Sequence, residues 1–275
     1  GSNEYKKAGI DVIPQVQGWN IYHGWYGGKI ENLGPWLDRK HRANPDKILF
    51  ISEYGAGSDV RLNAINPKRF DFTGNWQRRY HELYLKQINE RPYLAGTAIW
   101  NQFDFSQPHT GGSIAHVNQK GMQTWDRKPK DVYFFYKANW NPEPMIYIAS
   151  RDWANRVGRG AEIDFTTGKS VVQPVDVYSN LENIELLHNG ISLGVNQPDE
   201  INKAVWDVPF IPGNNFIEVR GEKNGKLYQD FLDIEFTYMV TTWHEDTANF
   251  SELFINAGYN GEFIDQSGQI WLPDQ

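Results

Sequence analysis

Glu53 is the residue around which chemistry can be built. It stands in Ile51-Ser-Glu-Tyr-Gly55, directly behind the apolar run Lys47-Ile-Leu-Phe-Ile-Ser52. So short an apolar run marks a strand buried on both faces. A carboxylate at the C-terminal end of such a strand stands where barrel enzymes carry their catalytic groups. There it can serve as a nucleophile or as a general acid and base; the plainer reading is a loop glutamate on the approach to a helix. The neighbourhood favours chemistry. Trp100 and Asp104 follow the next apolar run in the same relative position, and Tyr22 and Tyr26 follow the preceding one. Three successive strand ends bringing aromatics and one acid together form the floor and walls of a cup for a sugar ring, whose C–H faces stack on aromatic side chains.

The elements that must hold these residues are written in the spacing. A strand is expected within Asp11 to Tyr22, then the loop Gly24-Trp-Tyr-Gly-Gly28 and a helix over Leu33 to His41. A polar loop follows the Glu53 strand and leads to the clearest helix. Thr73 stands where an N-cap belongs, and Trp76, Tyr80, Leu83, Tyr84 and Ile88 recur on one face until Arg91-Pro92 stops it. Leu94 to Trp100 is the third strand. A long loop rich in Gly, His and Asn runs to Gly121, and an amphipathic helix covers Asp131 to Trp140. Three β-then-α units in series belong to part of a (β/α)8 barrel or to a doubly wound sheet. No Gly-rich phosphate loop follows any strand, which counts against a doubly wound nucleotide-binding fold. From Met145 the pattern changes to short alternating strands: Met145–Ile148, Val171–Tyr178, Ile184–His188, Ala204–Val208, Phe216–Arg220 and Leu227–Phe236. Asn189-Gly190, Pro212-Gly213 and Asn224-Gly225 separate them as turns, the rhythm of an immunoglobulin-like sandwich.

Composition narrows the partners. Eleven Trp, fourteen Tyr and fifteen Phe make up 15% of the chain, a surplus that suits carbohydrate binding as well as a core. The net charge of −7 argues against nucleic acid and anionic membranes, and no apolar run is long enough to span a bilayer. Without cysteine there are neither disulfides nor thiolate metal sites. His23, His109 and His116 fit no familiar zinc spacing, so no metal and no cofactor is expected. Arg127, Lys128 and Lys130 read as a solvated surface on the approach to a helix. Gly1-Ser2 reads as a cloning remnant, so the lack of a leader has no weight. The compartment stays open, with periplasm or secretion placed ahead of cytoplasm.

Five segments in order resemble glycoside hydrolase family 2, the family of β-galactosidases, β-glucuronidases and β-mannosidases. They are Asn20-Ile-Tyr-His-Gly-Trp-Tyr26, Ile51-Ser-Glu-Tyr-Gly55, Ala98-Ile-Trp-Asn-Gln-Phe-Asp-Phe105, Asn118-Gln-Lys-Gly-Met122 and the run from Asp126 to Trp140. The resemblance implies a fold of α/β plus all-β class: a partial (β/α)8 TIM barrel, about its sixth to eighth strands, in residues 1–142, then an immunoglobulin-like β-sandwich in 143–240. Phe254-Ile-Asn-Ala-Gly258 and Gly268-Gln-Ile-Trp271 with Asp274 resemble the opening of a malectin-like carbohydrate-binding domain in 241–275.

By the same resemblance Glu53 is the nucleophile of a retaining exo-β-glycosidase, Tyr22 its hydrogen-bond partner, and Trp100 the platform under the sugar. Tyr26 is a further wall. Asp104 is expected to shape the loop. Asn118 and Lys120 resemble the pair that receives a glucuronide's carboxylate, although related stretches occur in β-galactosidases. The family's proton donor lies in an Asn-Glu pair after the fourth strand. The only such pair here, Asn3-Glu4, follows no buried strand, so the donor is expected in a missing N-terminal part of the same enzyme. The expected substrate is an oligosaccharide or a fragment of a polysaccharide. β-Galactosidase is the first reading and β-glucuronidase the second. A catalytically incomplete carbohydrate-binding or assembly fragment is the alternative from another class.

Overall fold

The computed structural model describes residues 4, 7–10, 13–108, 112–160, 171–240, 254–256 and 263–273. Its first elements are β1 (Val16–Asn20), α1 (Leu33–Ala43), β2 (Ile48–Tyr54), α2 (Gly74–Asn89), β3 (Leu94–Ile99) and α3 (Asp131–Trp140). The three strands form one parallel sheet in the order β1-β2-β3. Parallel neighbours cannot be joined by a tight turn, so a helical crossover must separate them. Leu49 and Ile51 of β2 are almost fully buried, as expected of a strand with partners on both sides. The ladder shifts register between Trp19 and Asn20 on one side of β2 and between Ile51 and Tyr54 on the other. Such irregularities re-aim side chains, and both fall beside Glu53.

The helices form where the apolar spacing places them. Thr73 caps α2, its Oγ1 accepting from Trp76 N at 3.0 Å. The stripe behind the cap supplies much of the core: Tyr80 stacks on Tyr84 at 4.1 Å and Tyr84 on Tyr54 at 5.3 Å, against Leu33, Leu37, Val132 and Phe135. A large share of the aromatic surplus is therefore packing. β1 is shorter than the sequence implies. Pro14 has no N–H to give a ladder and Ile13 is exposed, so the strand starts only at Val16; Asp11 and Val12 lie outside the described residues.

The next strands are β4 (Phe105–Ser106), β5 (Val117–Asn118), β6 (Ile146–Ile148), β7 (Asn155–Gly160), β8 (Val171–Ser179), β9 (Ile184–His188), β10 (Ile191–Asn196), β11 (Lys203–Phe210), β12 (Gly213–Lys223) and β13 (Lys226–Val240). The chain divides into two units, one of residues 1–154, 174–208 and 216–232, the other of residues 155–173, 209–215 and 233–275. In the first, β4 and β5 make a two-stranded antiparallel ribbon, with Phe105 opposite Asn118. β9 pairs antiparallel with both β10 and β12, and Asn189-Gly190, both at positive φ, makes the β9–β10 turn. β6 pairs with β8. Arg78 of α2, buried, sits 2.7 Å from Asp176 and 3.3 Å from Asp131, while Lys203 bridges Asp176 and Glu82.

In the second unit β7, which the sequence reading passed over, pairs in parallel with Glu235–Val240 of β13. Phe210 stacks on Phe236 at 5.2 Å, and the Arg156 guanidinium lies over Phe210. Three short strands follow, β14 (Ile255–Asn256), β15 (Phe263–Ile264) and β16 (Ile270–Pro273), in the order β14-β16-β15. Gly258 and Asp274, part of the expected carbohydrate-binding opening, lie outside the described residues.

Candidate active site

Glu53 emerges from the end of β2 between the two register shifts, and Ile21 N donates to its carbonyl at 2.8 Å. Tyr22, two residues past β1, reaches across: its hydroxyl donates to Glu53 Oε2 at 2.9 Å. Burial first, then the hydrogen bond to and charge of Glu53, push the phenol pKa far above its ordinary value. Tyr22 is therefore a donor at any working pH, and it fixes the direction in which the carboxylate points. Among the described residues no cation forms an ion pair with Glu53.

Trp100 sits at the neighbouring strand end. Its N donates to Tyr54 O at 2.8 Å, and its carbonyl lies so close to Gly55 that a Cβ there would stand 2.1 Å from it. Only glycine lets the chain after Glu53 pass at that distance. The peptide bond from Trp100 to Asn101 is cis, and the indole meets Phe105 edge-on at 5.9 Å.

The other expected site residues line a cavity of about 160 Å³ together with Trp25, Phe70, Phe72, Gln107 and Gly112. Tyr26 is its exposed wall; Asn118 and Lys120 are nearly buried in it. Lys120 Nζ stands 5.0 Å from the ring centre of Tyr26, 5.8 Å from Trp25 and 5.9 Å from Tyr22, the range of a cation over aromatic faces. Asn118 is locked at both ends of its amide: Oδ1 accepts from Lys120 N at 3.2 Å and Nδ2 donates to Gln107 Oε1 at 2.7 Å. Glu53, Tyr22 and Trp100 are not among the lining residues. The link runs through Tyr22, whose ring contacts Tyr26 at 5.1 Å and faces the Lys120 ammonium.

Behind this site Asp104 shapes the loop as expected, whereas Lys130 was misread and Gln77 missed. Lys130, expected on a solvated surface, is only 3% exposed. Its ammonium donates to Asp104 Oδ1 at 2.9 Å, Ser58 O at 3.0 Å and Gln119 O at 3.1 Å. The surface reading fails because the lysine stem runs inward from the N-cap of α3 to where two loop carbonyls and a carboxylate converge. Burial lowers the Lys130 pKa, and burial raises that of Asp104 against the pull of its partner. Asp104 also accepts from Gly121 N at 2.8 Å. Gln77 of α2 makes a second clasp, Nε2 donating to Ala56 O at 2.9 Å and Gly121 O at 3.2 Å. The Glu53 and Lys120 loops are thus fastened to each other. Only a lone Asp104 in a loop rich in glycine hinted at this.

The histidines divide. His23 is half-buried, and burial followed by the charge of Arg39 lowers its pKa. His116 is exposed, with Nδ1 3.0 Å from Pro108 O; His109 lies outside the described residues. Among the described residues no group of three His, Asp or Glu side chains could hold a metal ion, and no helix is long and apolar enough to cross a membrane.

The likeness to known proteins extends over the whole chain. A β-glucuronidase of Bacteroides fragilis is 37% identical over 219 residues, 76% of this chain and 30% of that protein. A β-glucuronidase structure from Bacteroides uniformis, covalently bound to cyclophellitol-6-carboxylate aziridine, superposes with a TM-score of 0.78 at 38% identity, covering 100% of this chain and 32% of that one. The chain belongs to glycoside hydrolase family 2. A putative β-galactosidase structure from Bacteroides fragilis follows with a TM-score of 0.73 at 30% identity, covering 85% and 34%. Residues 170–229 match the family model described as a domain of unknown function, DUF4982. This family 2 chain spans about a third of the length of the relatives it matches, and its α/β and antiparallel parts have the mixed architecture of these enzymes.

Proposed function

We propose that this chain is the nucleophile-bearing part of a retaining exo-β-glycosidase that acts on terminal β-linked glucuronides. In this reading residues 1–142 are the last strands of a (β/α)8 barrel, 143–240 an immunoglobulin-like sandwich and 241–275 the start of a further domain. Glu53 attacks the anomeric carbon, and the bond from that carbon to the leaving oxygen breaks. A second carboxyl group, about 5–5.5 Å away in enzymes of this type, protonates that oxygen and then deprotonates the water that releases the sugar. That group comes from a segment outside this chain. Trp100 carries the sugar ring, and Tyr22 holds Glu53 in its attacking orientation while remaining protonated.

The observation that carries the choice of sugar is Lys120. It is 7% exposed, lies over aromatic rings, adjoins Tyr22, and among the described residues has no carboxylate partner. Burying an ammonium without a counter-charge is costly. A substrate that brings its own carboxylate supplies the missing charge, whereas the hydroxymethyl of a galactoside does not. The similarity to β-glucuronidases leans the same way, so the first expectation, β-galactosidase, gives way to β-glucuronidase. The test is turnover of paired aryl β-glucuronide and β-galactoside by the full-length enzyme, before and after Glu53→Gln. Loss of nearly all glucuronide turnover with the fold intact is expected. A faster galactoside reaction would reverse the choice of sugar, and substantial activity in the variant would remove Glu53 as nucleophile.

A further inference from the structure

The geometry points to Gln107 as a third donor to the substrate's carboxylate and hence a specificity-determining residue of this site. The inference rests on the reading that a sugar carboxylate enters the cavity of Lys120. Its basis is the direction of a short hydrogen-bond chain. A backbone N–H can only donate, so Lys120 N, 3.2 Å from the Asn118 amide, requires the Asn118 oxygen on that side. The Asn118 amino group then faces Gln107 and, being a donor, demands the Gln107 oxygen at 2.7 Å. Both amide oxygens are thereby occupied by protein.

What is left over is all of one kind. The amide polarity, set by one backbone N–H and passed through Asn118, leaves the Gln107 amino group with both its hydrogens unclaimed among the described residues. One hydrogen of Asn118 Nδ2 is also unclaimed, and so is the Lys120 ammonium. Gln107, Asn118 and Lys120 all line the same cavity. A pocket offering donors from three side chains, with their acceptors turned into the protein, is a receptor for an oxyanion. Gln107 does not drift: its N donates to His116 O at 2.8 Å, extending the β4–β5 ribbon by one rung. It is fixed on the same ribbon that carries Asn118.

The experiment compares Gln107→Met, Gln107→Glu and Lys120→Met in the full-length enzyme, on aryl β-glucuronide and aryl β-galactoside. Losing a hydrogen bond to a charged group should raise the glucuronide KM of Gln107→Met by roughly tenfold to a hundredfold, with kcat little changed. Gln107→Glu keeps the shape and sets a carboxylate against the substrate's own. Its KM should rise further and recover as pH falls and the new acid protonates, a response that a merely structural role would not produce. The glucuronide-to-galactoside ratio should drop in both variants. If Lys120→Met destroys that ratio while both Gln107 variants leave KM within about twofold of wild type, Gln107 does not touch the anion and the inference is overturned. If all three leave the ratio where it was, no carboxylate is bound there and the underlying reading falls with it. Should Gln107→Met fail to fold, the isosteric Gln107→Glu pH profile decides.

Discussion

Lys120 and Lys130 stand ten residues apart, both almost buried, in opposite electrostatic conditions. Lys130 is enclosed: a carboxylate and two carbonyls accept its hydrogen bonds. Lys120 meets aromatic faces, and its ammonium opens on a cavity. The contrast extends to their surroundings. Behind the sheet, Arg78 is matched by Asp131 and Asp176, Lys203 by Asp176 and Glu82, and His81 is buried. At the rim, Glu53 is held by a neutral phenol, and the Gln107 amino group has no partner among the described residues. A charge whose bonding is completed by its own chain holds the fold; one left incomplete awaits something from outside.

The sharpest way to break this comparison is to remove each lysine in turn. Lys130→Met leaves Asp104 buried without its cation, which costs about 3–5 kcal/mol. Chemical denaturation should show a loss of that size, and Asp104→Asn in the same chain should recover part of it, because the amide oxygen still accepts from Gly121 N while no charge is left orphaned. Equal stability of wild type and Lys130→Met would mean that the cage contributes nothing. Lys120→Met should do the reverse. Its melting temperature should hold or rise, while kcat/KM for a glucuronide should fall about a hundredfold, the equivalent of about 2.7 kcal/mol. A large stability loss there would place Lys120 among the structural charges.

The sequence announced one of these lysines and concealed the other, for a physical reason. Glu53, Tyr22 and Trp100 stand at strand ends, which periodicity places, and Lys120 stands in a short local motif that the family resemblance picks out. The apolar run before Glu53, the Thr73 cap and the span Asp131–Trp140 are local patterns as well, and the structure has them where the spacing puts them. Lys130 is decided by side chains far away in the chain, Asp104 and the carbonyls of Ser58 and Gln119. From its flanks, Arg127-Lys-Pro-Lys130 is just a charged approach to a helix. Gln77 is hidden in the same way, as one polar residue of an amphipathic helix. β7 escaped because Asn155-Arg-Val-Gly-Arg-Gly160 alternates too weakly to announce a strand; its partner is β13, some eighty positions on.

A pH experiment extends the comparison to a group without charge. His81 is fully buried, with Nδ1 3.0 Å from Tyr136 Oη, and burial pushes its pKa down to about 3. The folded value lies below the ordinary 6.5, so a proton binds the unfolded chain more readily. The stability tied to neutral His81 is complete above pH 6.5 and drains away as pH falls towards 3, at about 1.4 kcal/mol per unit. Between pH 7 and pH 5 wild type should therefore lose about 2 kcal/mol more than His81→Gln. Parallel pH profiles of the two would show that the imidazole titrates freely and is not part of the sealed region.

The smallest expected effect tests whether the two regions are separable at all. Thr73 Oγ1 accepts from Trp76 N at 3.0 Å and donates to Asp71 Oδ1 at 2.8 Å, closing the first turn of α2. One turn on, Gln77 clasps Ala56 O and Gly121 O, the backbone that follows Glu53 and Lys120. Thr73→Ala removes the cap and should cost about 1 kcal/mol. If the clasp is rigid, that loss appears only in denaturation, and the glucuronide-to-galactoside ratio stays as in wild type, because the frayed turn lies on the far side of Gln77. A changed ratio at unchanged KM for the galactoside would mean that fraying reaches Gly121 and moves Lys120 relative to Glu53. The spacing between Glu53 and Lys120 would then be set by the first turn of α2, and the rim would owe its geometry to the packed side behind it.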